Sequence, residues 1–284
     1  PYTFPLTAAN GAVAGGTGSL TWSYVSGSAP GVVFNPTCPG GPGEPSYPCL
    51  SGTPLAAGPF FIRLKVEDTS GQSDSQTMSL TVAKAALTVT ANNKSRVYGA
   101  ANPTLDGTIT GIVNNDGIMA TYTTTADITS PVGNYTITPQ LNDPNGRLGN
   151  YTVTSTNGTL TITKATLTVT ANNKSRVYGD VNPTLDGTIT GIVNNDPITA
   201  TYTTAADITS PVGNYDITPQ LSDPSGKLGN YAVISTNGTL AITKASTMTE
   251  ISSTSPNPSI LGQTITVNFK VSPQYSGVPT GTVS

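Results

Sequence analysis

The residues able to do chemistry are few in this chain and scattered along it. Histidine is absent, which removes the commonest general base and the commonest zinc ligand. Cysteine occurs twice, as Cys38 and Cys49 in PTCPGGPGEPSYPCL, with four prolines and three glycines between them. A Cys38–Cys49 disulfide would hold a loop with little structure of its own. Closing it contributes about 2–3 kcal/mol through the unfolded chain and implies an oxidising, extracellular setting. Two free thiols are the alternative, and zinc would need further ligands that are not nearby. Among the acids, Asp116 and Asp127 recur as Asp196 and Asp207, and Asp143-Pro-Asn-Gly recurs as Asp223-Pro-Ser-Gly. The last two share the opening of a calcium loop but lack the rest of its spacing, so both read as β-turns. No G-x-S-x-G, phosphate loop or H-E-x-x-H is present, and nothing marks a catalytic carboxylate pair. The expectation is a protein that is not an enzyme, with no catalytic residue, cofactor or metal site to assign.

Other reactive groups read as structural. Lys84, Lys164 and Lys244 each precede an alanine at the end of an apolar-alternating stretch, where solvent exposure or contact between domains is expected in preference to an isopeptide crosslink. Asn134-Tyr-Thr and Asn150-Tyr-Thr match the glycosylation sequon. Their counterparts Asn214-Tyr-Asp and Asn230-Tyr-Ala do not, so the domain design does not require sugar. Threonine rows on flat sheets can order water or bind sugar, but here the threonines are divided among short strands broken by Pro and Gly.

The elements that must carry these groups are strands. Threonine supplies 49 of 284 residues, Gly 30 and Pro 23, while glutamate occurs only at positions 44, 67 and 250. β-Branched residues suit a pleated surface, and Gly, Pro, Asn and Asp supply the turns between short strands. Only 10% of the residues are charged, for a net charge of -3. That leaves no basic stripe for nucleic acid and no polybasic attraction to anionic lipid. No run of eighteen apolar residues is present, so no membrane insertion is expected in this segment. The opening PYTFPLTAAN lacks the features of a signal peptide, and the chain reads as processed or as a piece of something longer.

Internal repetition is the strongest signal. Residues 84–163 align with 164–243 without a gap and agree at 67 of 80 positions. A unit of this length is large enough to fold by itself. Within it, Leu87 and Val89 alternate with Thr88 and Thr90, the period of a half-buried strand. Tyr98 is expected in the core, with Gly99 taking a backbone angle other residues avoid. Strands are expected over 108–113 and 120–125 and from Tyr135 onward. Reversals are expected at Asn92-Asn93, Asn102-Pro103, Asn114-Asn115-Asp116 and Asp143–Gly146. Tyr151 and Val153 alternate, and Asn157-Gly158 reads as a hairpin turn into Leu160 and Ile162. One short helix around 112–120 is allowed.

The stretches KAALTVTANNKSRVYGAANPTL and GNYTVTSTNGTLTITKA, with KATLTVTANNKSRVYGDVNPTL and GNYAVISTNGTLAITKA, resemble the MBG repeat of bacterial surface proteins in its YG variant. The resemblance implies a mostly-β domain related to the β-grasp, used in tandem in secreted or surface-anchored chains, with no catalytic residues to transfer. LSGTPLAAGPFFIRLKVEDTSG and GGTGSLTWSYVSGSAPG resemble the immunoglobulin-like, cadherin-like domain of such proteins, with the Cys loop as an insertion, the first strand shortened and Trp22 as a core anchor. By analogy with cadherin-like modules Asp68 is a candidate calcium ligand, although one Asp does not make a site and a solvated turn is the default. STSPNPSILGQTITVNFKVSP with GVPTGTVS resembles the start of another immunoglobulin-like repeat.

The expected architecture is all-β: small β-domains in a linear array, immunoglobulin-like over 1–83, MBG-type over 84–163 and 164–243, and a partial immunoglobulin-like domain over 244–284. The expected function is a structural stalk or fibre segment of a surface protein or adhesin, a rigid spacer on the bacterial cell surface. Two alternatives stand beside it: a filament subunit joined by strand exchange, a homo-polymer, and a binding module that uses the Cys38–Cys49 loop to meet a cell-surface or carbohydrate ligand. Neighbouring domains of a longer chain are the remaining expected partner.

Overall fold

The computed structural model describes residues 2–5, 19–38 and 47–275. The chain is all-β: the described residues form strands joined by turns, with single 3-10 turns at Leu148–Asn150 and Leu228–Asn230 and no α-helix. The interior of the Cys loop (39–46), residues 6–18 and the GVPTGTVS stretch lie outside the described residues.

The first six strands are β1 (Tyr2–Pro5), β2 (Thr21–Ser26), β3 (Val32–Cys38), β4 (Tyr47–Gly52), β5 (Gly58–Glu67) and β6 (Ser73–Val82). They form two three-stranded sheets, ordered β1-β4-β3 and β2-β5-β6. Strand β5 shows how sequence becomes packing. Ile62, Leu64 and Val66 point inward and are buried, while the alternating Phe61 and Arg63 are exposed, the period of a strand with one covered face. Ile62 and Leu64 join Ala29 and Leu50 in a core that Trp22, Phe34, Met78 and Leu80 pack against. Each such Leu or Ile contributes about 1.5–3 kcal/mol by leaving water. Trp22 is thus the anchor its sequence position implied, whereas Tyr24, two residues on, is exposed.

The first copy contributes β7 (Ala85–Ala91), β8 (Lys94–Val97), β9 (Gly107–Thr110), β10 (Met119–Thr123), β11 (Gly133–Asn142), β12 (Tyr151–Thr156) and β13 (Gly158–Thr163). The second repeats them as β14 (Ala165–Ala171), β15 (Lys174–Val177), β16 (Gly187–Thr190), β17 (Thr199–Thr204), β18 (Gly213–Ser222), β19 (Tyr231–Thr236) and β20 (Gly238–Thr243). In the second copy one sheet runs β16-β14-β19 and the other β15-β20-β18-β17. Strands β14 and β19 pair in parallel from Ala165↔Tyr231 to Thr170↔Thr236, and β15 and β20 are also parallel. Strands β7 and β12 of the first copy pair in parallel over the equivalent residues. Ile217, Leu240 and Ile242 form a buried core with Ala171 and Ala206, and Tyr178, Leu185, Tyr202 and Tyr215 close over it.

Two local expectations are overturned, and the short helix that the sequence allowed does not form. Asn157-Gly158 and Asn237-Gly238 are not hairpin turns: β19 and β20 flank Asn237 yet belong to different sheets. The glycine is required for close approach, because a Cβ on Gly238 would lie 2.7 Å from the carbonyl oxygen of Asn172 and 2.8 Å from that of Ala171. Val153 does not share the core with Tyr151. Strand β12 is an edge strand on which only Tyr151 is buried, and Val153 is 39% exposed. No helix forms over 112–120, because Asn114 and Asn115 take φ of 55° and 53°, the left-handed region that Asn tolerates and a right-handed helix excludes. The β-grasp kinship implied by the family resemblance accordingly has no helix to rest on among the described residues.

Strands β21 (Thr247–Ser255) and β22 (Thr266–Pro273) follow as a two-stranded antiparallel ribbon. By contact density the chain divides into two compact units. One holds the described residues through Lys94 with Pro103–Thr125 and Asn134–Thr161, and the other holds Ser95–Asn102, Ala126–Gly133 and the described residues from Ile162 onward. Two loops of the first copy therefore cluster with the second copy.

Candidate functional site

The candidate chemical groups stay dispersed. Cys38 and Cys49 are disulfide-bonded and buried, with Cα atoms 5.9 Å apart, fastening the end of β3 to β4. Asp68 sits in a turn, but buried, not solvated. Its Oδ1 accepts the Ser70 amide at 2.9 Å, the Ser70 hydroxyl at 2.7 Å and the Gln72 amide at 2.9 Å. Among the described residues no three His, Cys, Asp or Glu side chains come together as metal ligands. Asp143 and Asp223 cap the 3-10 turns, each accepting amides at 2.7 and 2.9 Å. The N–H of Leu148 or Leu228, more than any other group, holds these carboxyls below the usual carboxylate range. Asp127 and Asp207 fold turns in the same manner, with Thr129 and Thr209 lowering their pKa. Lys84, Lys164 and Lys244 are exposed. Asp116 and Asp196 are the exceptions, being buried and engaged by tyrosines.

What the sequence did bring together is a set of residues near one end of each copy. Two polar reversals build it. In the first copy Asp143 organises the turn that ends at Asn150, and the next residue, Tyr151, is buried. The Tyr151 hydroxyl donates to Asp116 Oδ2 at 2.7 Å and accepts the Val113 N–H at 3.0 Å, which fixes the left-handed Asn114 beside it. The second copy repeats this with Tyr231, Asp196 and Val193, at 2.7 and 3.1 Å. Burial, with the neighbouring carboxylate, pushes the Tyr231 hydroxyl up to about 12, and Tyr151 moves in the same direction for the same reasons.

The two asparagines so positioned hold the segment that precedes each copy. Asn114 Nδ2 donates to the Pro54 carbonyl at 3.2 Å, and Asn150 Oδ1 accepts the Ala57 N–H at 3.0 Å. Eighty residues later, Asn194 Nδ2 donates to the Ile128 carbonyl at 3.2 Å, and Asn230 Oδ1 accepts the Val132 N–H at 3.0 Å. The second joint carries more. Tyr98 is buried, its hydroxyl donates to Asp196 Oδ2 at 3.1 Å, and its ring meets Tyr231 edge-on with centroids 5.6 Å apart. Gly99, at φ 80°, lies so close to Val193 that a Cβ would stand 2.6 Å from the valine Cβ. At the third joint the Tyr275 hydroxyl donates to Asp180, and the Tyr275 ring lies against Gly179.

The loops that reach across are held from behind by a buried arginine. Arg96 Nε donates to Asn102 Oδ1 at 2.7 Å, Nη1 to the Val97 carbonyl at 3.3 Å and Nη2 to the Asp127 carbonyl, while Asn102 Nδ2 donates to the Ala126 carbonyl at 2.6 Å. Arg176 and Asn182 repeat the arrangement. Sequence reasoning placed Tyr98 in a core but not in one shared with the next copy, it read Asn114 as part of a reversal and Asn150 as a sequon asparagine, and it assigned Arg96 no role. The signal that could have found them is polar residues, identical in both copies, next to the apolar positions Val113, Tyr151 and Val97.

A family model described as MBG domain (YGX type) matches residues 87–161 and again 167–241. No curated protein matches the chain. Among solved structures, the protocadherin GammaB4 extracellular domain superposes with a TM-score of 0.31 at 11% identity, over 84% of this chain and 46% of that one. Protocadherin Gamma B7 extracellular cadherin domains 1-4 give 0.30 at 11%, over 91% and 76%. The endo-fucoidan hydrolase MfFcnA4 from glycoside hydrolase family 107 gives 0.21 at 13%, over 77% and 39%. The chain thus spans less than half of the GammaB4 chain, and superpositions this loose bear on neither fold nor function.

Proposed function

We propose, from the premise that the chain belongs to the MBG domain family (YGX type), that this surface-protein type of repeat region acts as a rigid spacer, an extracellular stalk or fibre segment on a bacterial surface. The observation that carries this reading is the fixing of each copy to what precedes it by side-chain-to-backbone bonds repeated at the same distances eighty residues apart. A linker of two or three flexible residues alone would let neighbours swivel. Three hydrogen bonds at the first joint, where Asn150 Nδ2 also donates to the Leu55 carbonyl at 3.4 Å, and two at the second, each of about 0.5–1.5 kcal/mol, oppose that freedom, and the buried Tyr98 adds to them at the second joint. The mechanism is mechanical: each copy adds reach without adding chemistry. The disulfide supports an oxidising, extracellular setting. No helix among the described residues is long and apolar enough to cross a membrane. Small-angle scattering tests the reading. The native chain should give one well-defined distance distribution, and Asn150→Ala with Asn230→Ala should broaden it. A distribution already broad in the native chain would refute rigidity.

A second reading, the filament subunit, draws on the ribbon β21–β22. Its register pairs Ile251 with Phe269 and Thr249 with Val271 on one face, and Glu250 with Lys270 on the other. Ile251 is 65% and Phe269 52% exposed. A lone two-stranded ribbon is marginal in water, so this face favours a further sheet, supplied by another chain or by the continuation of this one. Sedimentation separates the two. Concentration-dependent association abolished by Phe269→Thr supports the filament, and a monomer at all concentrations removes it.

A further inference from the structure

The two occupants of the asparagine pairs have no sequence in common. One is Pro54-Leu55-Ala56-Ala57 and the other is Ile128-Thr129-Ser130-Pro131-Val132. Both are held at 3.2 Å through a carbonyl and at 3.0 Å through an N–H, three residues further on in one case and four in the other. Every one of these contacts is to main chain, which every sequence carries. The asparagines themselves are positioned wholly from within their own copy, by the Asp143-capped turn and the Tyr151 hydroxyl, or by Asp223 and Tyr231.

We propose that this end of each copy is a socket that reads backbone, accepting any preceding module that offers a carbonyl and, three or four residues later, a free N–H, and that a further MBG copy is its best-fitting occupant. The preference follows from comparing the joints. Where a copy is the occupant, Gly99 covers Val193 and Tyr98 reaches Asp196. Where the first segment is the occupant, Val113 stays 43% exposed and, with Asn114, borders a cavity of about 500 Å³ that Val32, Leu50, Met78 and Leu80 also line. The first segment fills only the asparagine half of the socket. Whole copies can therefore be added or reordered without new interface chemistry. This extends the spacer reading but does not depend on it.

The test retains all 284 residues and exchanges the two copies, in the order 1–83, 164–243, 84–163, 244–284. The 54–57 segment then meets Asn194 and Asn230, and the 208–212 loop meets Asn114 and Asn150. Residue-resolved hydrogen exchange should show the Ala57 amide as slow as in the native chain. The Val212 amide, on a side chain 49% exposed in the native order, should slow by about tenfold. Exchange of either amide at the rate of an exposed one in a chain with native circular dichroism overturns the proposal. In the native order, Asn150→Ala should release Ala57 alone and Asn230→Ala should release Val132 alone. Protection that persists in those variants overturns it as well, even if the exchanged chain does not fold. Scattering of the native chain reports on the spacer reading separately, so the two can fail independently.

Discussion

Tyr98→Phe removes one hydroxyl and leaves the ring, which isolates the bond between the copies from the packing around it. A hydrogen bond to a charged acceptor contributes roughly 1.5–3 kcal/mol. This one is long for O–H···O at 3.1 Å, and Asp196 keeps its shorter bond of 2.7 Å from Tyr231. The expected cost is therefore about 1–1.5 kcal/mol, or roughly 4–12 °C in the melting temperature of a domain the length of one copy. Tyr98→Ala also removes a buried ring packed edge-on against Tyr231 and should cost about 3–5 kcal/mol. Tyr178→Phe is the internal control, because Tyr178 lies in the same SRVYG stretch but packs against the core of its own copy. It should cost under about 0.5 kcal/mol, the usual range away from such features. Urea unfolding followed by residue-resolved exchange reads all three. If Tyr98→Phe and Tyr178→Phe cost the same, the tyrosine serves its own loop and the shared core between the copies is an incorrect account.

Tyr231 is raised in the folded state to about 12, so its contribution is complete below pH 10 and is lost as pH rises through 12. Alkaline titration should remove about 3 kcal/mol across that window, and Tyr231→Phe should flatten it. Asp143, Asp223, Asp127 and Asp207 are all lowered from 3.8, so their contribution is complete above that value and disappears as pH falls below it. Melting temperature should be level from pH 7 to about 5 and fall below about 4, with Asp143→Asn shifting the first copy alone. Reducing Cys38–Cys49 should cost the first segment about 2–3 kcal/mol, seen as a lower transition for Trp22 fluorescence, and leave both copies unchanged.

Much of each copy was legible because its strands alternate cleanly: Leu87, Val89 and Ala91 are buried with Thr88 exposed, and Ile62, Leu64 and Val66 likewise. The reversals at 114–116 and 143–146 were legible from Asn, Asp, Pro and Gly, whereas Asn92-Asn93 joins β7 to β8, which belong to different sheets. What resisted was non-local. Asn157-Gly158 has the composition of a hairpin, and only the approach of Gly158 to the backbone of Ala91 and Asn92 excludes one. Parallel pairing of β7 with β12 joins residues about 66 positions apart and leaves no mark in either strand. The joints resisted for the same reason. Asn150 contacts residues 93 positions earlier through their main chain, so no side-chain pattern in 54–57 announces the contact. Tyr98 was identified as buried because an aromatic before a left-handed glycine suits a core, but which core depends on the copy that follows.

The proposed spacer depends on the second copy holding the Tyr98 and 128–132 loops of the first in fixed register. Residual dipolar couplings from backbone amides of 84–163 and 164–243, in one weakly aligned sample of the full chain, test it most directly. A single alignment tensor should fit both copies in the native chain, and two tensors of unequal magnitude should be needed after Asn230→Ala with Tyr98→Ala. Two unequal tensors in the native chain would mean that the copies swivel freely, and the spacer account would be contradicted.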